Sequence, residues 1–313
     1  MPKVPDSLRF RQDTARSAER ASRTTLTFDI NDENLEIFIH FQNGKYNFIG
    51  QKGDTYPQQK PLNDNAISIS MDAQMLLNGI SRSLFATADD ELRPVMNGVY
   101  FDIHTDDLTF VASDGHKLVR LRNLAVKSPE RASFILPKKP ANLLKNLLAK
   151  ESEQVLIKFD DNNAYITCTN FEMVCRLIEG RYPNYNSVIP QENPFKVTID
   201  RISFLNALKR VSVFSNPASS LVKLHLKDSL ITVSAQDIDF STSAEERIVC
   251  QFDGTELSIG FKATYLIEIL GNISSEEVVL ELADPSRAGL IVPSENDEDE
   301  DLLMLLMPMM LND

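Results

Sequence analysis

Apolar and polar positions alternate with a period of two over short stretches of this chain, switch to a period near 3.6, and switch back. TLTFDI, LEIFIHF and KYNFIG, starting at Thr25, are short runs dense in β-branched and aromatic residues. NDEN and QNGK interrupt them, so they predict antiparallel strands joined by tight turns. SISMDAQMLLNGISRSLFATA then predicts a strand, an Asp72 cap and an amphipathic helix with Met75, Leu76, Ile80 and Leu84 on one face. Strands follow in GVYFDIHTDDLTFVASDG and HKLVRLRN. The unit recurs around the helices KKPANLLKNLLAK, DRISFLNALKRVSVF and FKATYLIEILGNI, whose expected starts, with that of the first helix, fall near 71, 138, 199 and 262. A β-α-β-β-β module repeating every 60-odd residues is the organising feature.

The modules group in pairs. GRYPNYNSVIPQENPF, between the second and third modules, holds three prolines and several Asn and can neither continue a helix nor pair as a central strand. The expected domains are therefore 66–190 and 194–313. Residues 25–62 carry only the strand half of a preceding module. Residues 1–24 have neither period and hold six basic against three acidic residues, which predicts a disordered tail without the amphipathic face of a leader.

Charge changes the picture. The 313 residues carry 32 basic and 45 acidic side chains, a net −13, which on bulk charge argues against nucleic acid. The four helical segments run the other way: Arg82, Lys138, Lys139, Lys145, Lys150, Arg201, Lys209, Arg210 and Lys262 stand against Asp72, Asp200 and Glu268. A basic surface shared by four helices would attract a phosphate backbone without reading sequence. SENDEDED, residues 294–301, lacks the Gly and terminal Glu of a calcium loop and is read as a solvated acidic loop. Three scattered cysteines exclude a disulfide framework, and no apolar run reaches the length of a membrane helix. A cytoplasmic chain without membrane contact is expected.

Candidate chemistry is sparse. Ser113, Asp114, Gly115 and His116 are adjacent and sit between two strands, where Asp-Gly suits a turn better than a relay assembled from separated positions. The four histidines share no ligand spacing, and no glycine-rich phosphate loop is present. No catalytic residue, metal or cofactor is expected. The terminus LLMLLMPMMLND is unusual, with four of the nine methionines in the last ten residues. Pro308 should end the last strand, leaving Met309, Met310 and Leu311 to line an exposed apolar groove.

RPVMNGVYFDI, FVASDGHKLVRL, EGRYPNYNSVIP, SNPASSLVKLHL, IGFKATYLIEIL and MPMML, in order over about 66–311, together make a specific pattern. By these stretches the chain resembles the bacterial DNA polymerase β sliding clamps. The resemblance implies an α+β DNA-clamp fold, with two β-α-β-β-β modules per domain, helices lining an inner face and antiparallel sheets outside. It also implies a non-catalytic processivity factor of DNA replication that encircles double-stranded DNA independently of sequence. Such clamps tether DNA polymerase, the clamp loader and repair proteins through clamp-binding peptides.

Carried over by position, the peptide groove comprises Met96, Ser113, Gly115, His116, Lys117 and Leu118, then Pro183 and Val188. The C-terminal side adds Leu305, Leu306, Met307, Pro308, Met309, Met310 and Leu311. Ser187 and Met310 stand where related clamps often carry Arg, so the groove is less basic. Lys139 aligns with a DNA-facing lysine; Arg82, Lys209 and Arg210 join it on charge. Val213 and Phe214 align with the face that meets the first domain of the other subunit in a head-to-tail homodimer ring. Only the last strands of a first domain, residues 25–62, are recognisable, and residues 1–24 match nothing in the family, which puts ring closure in question. The alternative reading is a truncated fragment that does not form a ring and binds partner peptides only.

Overall fold

A computed structural model describes residues 8–9, 25–53 and 61–311. The chain divides into two compact units, Met1–Pro61 and Leu62–Asp313. In the first, β2 (Thr27–Asn31), β3 (Glu36–Phe41) and β4 (Gly44–Ile49) form an antiparallel meander. Ile37 and Ile39 are its buried positions. The expected tail is not wholly irregular: β1 (Leu8–Arg9) pairs with β5 (Gln51–Lys52), and the rest of 1–24 lies outside the described residues.

The second unit shows the predicted module four times. The first is β6 (Ile67–Asp72), α1 (Ala73–Ser83), β7 (Gly98–Ile103), β8 (Leu108–Ser113) and β9 (Lys117–Asn123). The second is β10 (Ala132–Pro137), α2 (Lys138–Leu148), β11 (Gln154–Phe159), β12 (Asn163–Thr167) and β13 (Glu172–Arg176). The third is β14 (Phe195–Asp200), α3 (Arg201–Val211), β15 (Leu221–Lys227), β16 (Leu230–Asp237) and β17 (Thr242–Val249), followed by the short β18 (Gln251–Phe252). The fourth is β19 (Leu257–Lys262), α4 (Ala263–Gly271), β20 (Glu277–Leu282), β21 (Gly289–Pro293) and β22 (Glu300–Leu306).

Local chemistry explains the strand-to-helix switch. Asp72 caps α1, its carboxylate accepting from the Gln74 and Met75 N–H groups, and Asp200 caps α3 through Ser203 N at 2.7 Å. These caps satisfy donors a helix start leaves unpaired. Ala73, Leu76, Ile80 and Ser83 then fall on the buried stripe of α1. Gly79 lies on that stripe because the Phe110 ring fills the space a side chain would need: a Cβ would sit 2.4 Å from it.

The first strand of each module leaves its own module. β6 pairs with β11 and β10 with β7; likewise β14 pairs with β20 and β19 with β15. Each pair of modules is thereby interlocked, with its two helices packed side by side. β9 then pairs with β22, from Lys117↔Leu306 to Asn123↔Glu300, and fuses both pairs into one nine-stranded sheet, β10-β7-β8-β9-β22-β21-β20-β14-β18. The linker therefore crosses a joint already closed by a strand pair. One core lies between the helices and the sheets and includes Phe101, whose ring meets those of Phe110 and Phe134. A smaller cluster covers the other face of the nine-stranded sheet.

Candidate functional site

The turn after β8 is built from its own polar groups. The Ser113 hydroxyl donates to Lys117 O (2.9 Å) and accepts from Gly115 N (3.1 Å). The Asp114 carboxylate accepts from His116 N (2.8 Å) and Lys117 N (2.9 Å). Gly115 sits at φ +91°, which favours glycine. Ser113 and Asp114 thus serve the backbone, as the turn reading expected. The turn also starts the joint between lobes, since Met307 N donates to His116 O at 2.8 Å.

Strand alternation sorts the expected groove residues onto two faces. Leu118, Leu303 and Leu305 turn to the outer face, where they join Val111, Ile135 and Leu290. Tyr182, Tyr185 and Ile189 of the linker close over them. Tyr182 stacks on Tyr100 at 4.6 Å, and the Tyr185 hydroxyl donates to Asp102 at 2.8 Å. Burial first, and then that carboxylate, push the Tyr185 hydroxyl well above its ordinary pKa. Around this floor Val188 is 57% exposed and Met307 42%, with Pro183 and His116 also open. This apolar cluster and its exposed rim draw on three separate chain segments.

Other expected groove residues lie elsewhere, and the alternation explains why. Lys117 and Leu306 point to the helix side. Leu306 belongs to the main core, and Lys117 Nζ lies 2.6 Å from Glu268 and 4.3 Å from the Tyr265 ring centroid. Met96 is buried, but its neighbour Val95 is the residue that packs on the outer cluster. Val95 also meets the linker where it leaves Gly180, at φ +124°. Met309 is not loose beyond Pro308: its N–H donates to Gly260 O (2.8 Å), bridging to β19, and Leu311 lies half-buried against Gly260. Only Met310 is fully open, at 79%. Tyr182, Tyr185, Leu303 and Leu290 were missed; the tyrosines of GRYPNYNSVIP were the available signal.

The helix face also differs from the charge count. Arg82 is not an open cation: it is 14% exposed, bonds Glu300 at 2.8 Å, and also pairs with Asp297 and Ser274. Arg210 is held bidentately by Glu246, Lys138 pairs with Asp89, and Arg201 donates to the Ser275 and Leu270 carbonyls. Lys139, Lys145, Lys150 and Lys209 remain exposed, with no ion pair among the described residues. The acidic run is likewise more than a solvated loop, because Asp297, Glu300 and Asp301 bind Arg82, Arg120 and Arg122. Val213 and Phe214, just past α3, are 78% and 41% exposed. Among the described residues no cluster could hold a metal ion, and no helix is long and apolar enough to cross a membrane.

The interlocked modules and the joint have known counterparts. Residues 70–184 match the family description "DNA polymerase III beta subunit, central domain", and residues 186–310 match its C-terminal domain. The chain belongs to the DNA polymerase III beta subunit family. The beta sliding clamp of Pseudomonas aeruginosa is 26% identical over 284 residues, covering 90% of this chain and 76% of that protein. That of Staphylococcus aureus is 27% identical over 276 residues, 87% of this chain and 72% of its own. Among solved structures, a P. aeruginosa sliding clamp bound to griselimycin superposes with a TM-score of 0.88 at 25% identity, covering 96% of this chain and 80% of that one. A second, P. aeruginosa with ligand, gives 0.87 at 26%, covering 96% and 80%. The α+β clamp fold expected from sequence is therefore the fold observed, and the family is one of non-catalytic processivity factors in DNA replication.

Proposed function

We propose that this chain acts in the cytoplasm as a sliding clamp, holding duplex DNA loosely against its helix face. In this reading it tethers DNA polymerase, the clamp loader and repair proteins through clamp-binding peptides. The observation that carries the reading is the division of labour across one sheet. The outer face bears an apolar cluster rimmed by exposed Val188 and Met307, and the helix layer on the other side bears lysines with no carboxylate partner among the described residues. Unpaired cations can neutralise phosphates without base contacts, which suits sliding. Val213 and Phe214 are the apolar surface we assign to contact with another subunit in a ring.

A fluorescent clamp-binding peptide tests the groove by anisotropy. Griselimycin, bound by the P. aeruginosa relative, serves as the competitor. Val188→Ala with Met307→Ala changes two exposed rim residues, so folding should be kept while affinity falls roughly tenfold or more. Unchanged affinity in that double variant overturns the groove assignment.

A further inference from the structure

Two helices carry the same arrangement of cations. Lys138 and Lys139 are adjacent in the first turn of α2, and Lys209 and Arg210 are adjacent in the last turn of α3. In each couple one cation is open and the other is held. Lys139 and Lys209 have no ion pair among the described residues, whereas Lys138 pairs with Asp89 and Arg210 with Glu246.

We infer that Glu246 is a built-in competitor for DNA phosphate, which holds Arg210 in reserve and keeps the grip of the helix face on a duplex weak. The inference rests on the role proposed above for the helix face and names a residue that sets its strength.

The geometry is that of a phosphate contact already filled. Arg210 Nε donates to one Glu246 oxygen at 2.8 Å, and a terminal nitrogen donates to the other at 2.6 Å. A guanidinium presents this parallel fork to a phosphate as readily as to a carboxylate. α3 buries Phe204, Leu208 and Val211 and leaves Asn206, Lys209 and Arg210 to solvent, so Arg210 shares the open arc of the unpaired Lys209. Glu246 reaches it from β17, which packs beside α3 and turns Ala244 and Ile248 inward on either side of Glu246.

The pair is also exchangeable. The Arg210 side chain is 62% exposed and that of Glu246 32%, and an exposed pair holds weakly against a competing anion. Arg82 is the contrast, because it is largely buried and has Glu300, Asp297 and Ser274 as partners. A phosphate that takes Arg210 must displace a carboxylate, which is left unpaired beside it. The gain from counterion release is offset to that extent. With the carboxylate charge removed, the same contact counts in full.

The test is fluorescence anisotropy of the full chain with a labelled duplex at several salt concentrations. The duplex is short with free ends, so the readout does not depend on a closed ring. Glu246→Gln keeps the side-chain shape and removes the charge. It should tighten binding about three- to tenfold at low salt and steepen the slope of log affinity against log salt by about one. Arg210→Ala should change little in the wild type and should abolish the gain in the Glu246→Gln chain. Glu245→Gln is the control: it removes the same charge from the neighbouring residue, which pairs with Arg247 on the opposite side of β17, and should leave the slope unchanged. An equal gain from both glutamine variants reduces the effect to net charge and overturns the inference. A chain that loses affinity with Lys139→Glu but is unmoved by Glu246→Gln overturns the inference and keeps the helix face. Failure of both the wild type and Glu246→Gln to bind the duplex at low salt overturns the two together.

Discussion

Replacing Arg82 by alanine should strip the countercharge from a carboxylate that is almost out of water. The Glu300 side chain is 7% exposed, and Arg82 meets it at 2.8 Å from the last turn of α1. Burial raises the Glu300 pKa, Arg82 pulls it down, and Asp297 pushes it up again. Removing one partner of a buried pair costs about 3–5 kcal/mol. Asp297 is half exposed and water can reach part of the site, so about 2–4 kcal/mol is expected here. The sign with pH follows from the direction of the shift. A carboxyl with a raised folded pKa binds a proton more tightly in the folded than in the unfolded chain, so acidification through that window stabilises the fold. Without Arg82 the pKa rises further, so the penalty should be larger at pH 8 than at pH 5. Urea unfolding followed by circular dichroism measures both, and Arg82→Ala with Glu300→Gln should recover more than half of the loss. A penalty independent of pH, or no recovery in the double variant, would refute the account. Because the cation is already paired, Arg82→Ala should also leave the salt dependence of duplex binding unchanged.

Lys139→Glu with Lys145→Glu should, by contrast, weaken duplex binding uniformly across sequences and lower the slope of log affinity against log salt by about one to two; an unchanged slope removes these lysines from the DNA face. Gly115→Ala should cost about 1–2 kcal/mol in urea unfolding, because φ is +91° and the new Cβ would lie 2.9 Å from Arg93. It should also weaken peptide binding, and a neutral effect on both would refute the turn's role in setting the groove. Burial pushes the Cys168 and Cys175 thiols to about 11, so maleimide labelling at pH 8 should be about 100-fold slower than for a free cysteine. The rate should rise with each pH unit toward that value, and rapid labelling at pH 8 would contradict their burial.

The modules were legible because their signals are local. A cap at Asp72, a 3.6-residue stripe and flanking two-residue alternation all lie within one window, and the helices start at 73, 138, 201 and 263, close to the expected positions. The exchange of first strands was not legible, because nothing within a strand names a partner in another module, whether about 30 residues away, as for β10 and β7, or about 90, as for β6 and β11. The groove was half legible for the same reason. Lys117 and Leu118 are neighbours in sequence, but the pleat sends them to opposite faces, one to Glu268 and the other under Tyr182 and Tyr185. Charge counting placed Arg82 with Lys139, since composition cannot show that Glu300 and Asp297 fold back onto one and not the other. SENDEDED looked like a loop because its partners, Arg82, Arg120 and Arg122, come from another lobe.

The β9–β22 joint also sets an order in time. Arg120 and Asp301, paired across it, are 181 residues apart in sequence. On the ribosome the earlier wall of the groove, with the Ser113–Lys117 turn already closed, must wait with its edge bare until almost the whole second lobe has been made. The strand that covers this edge also supplies Leu303 and Leu305 to the outer apolar cluster, and Met307 follows it directly. Under the proposed function, a nascent or C-terminally cleaved chain would present no finished docking surface, and partner recruitment would double as a check that synthesis has reached the last strand.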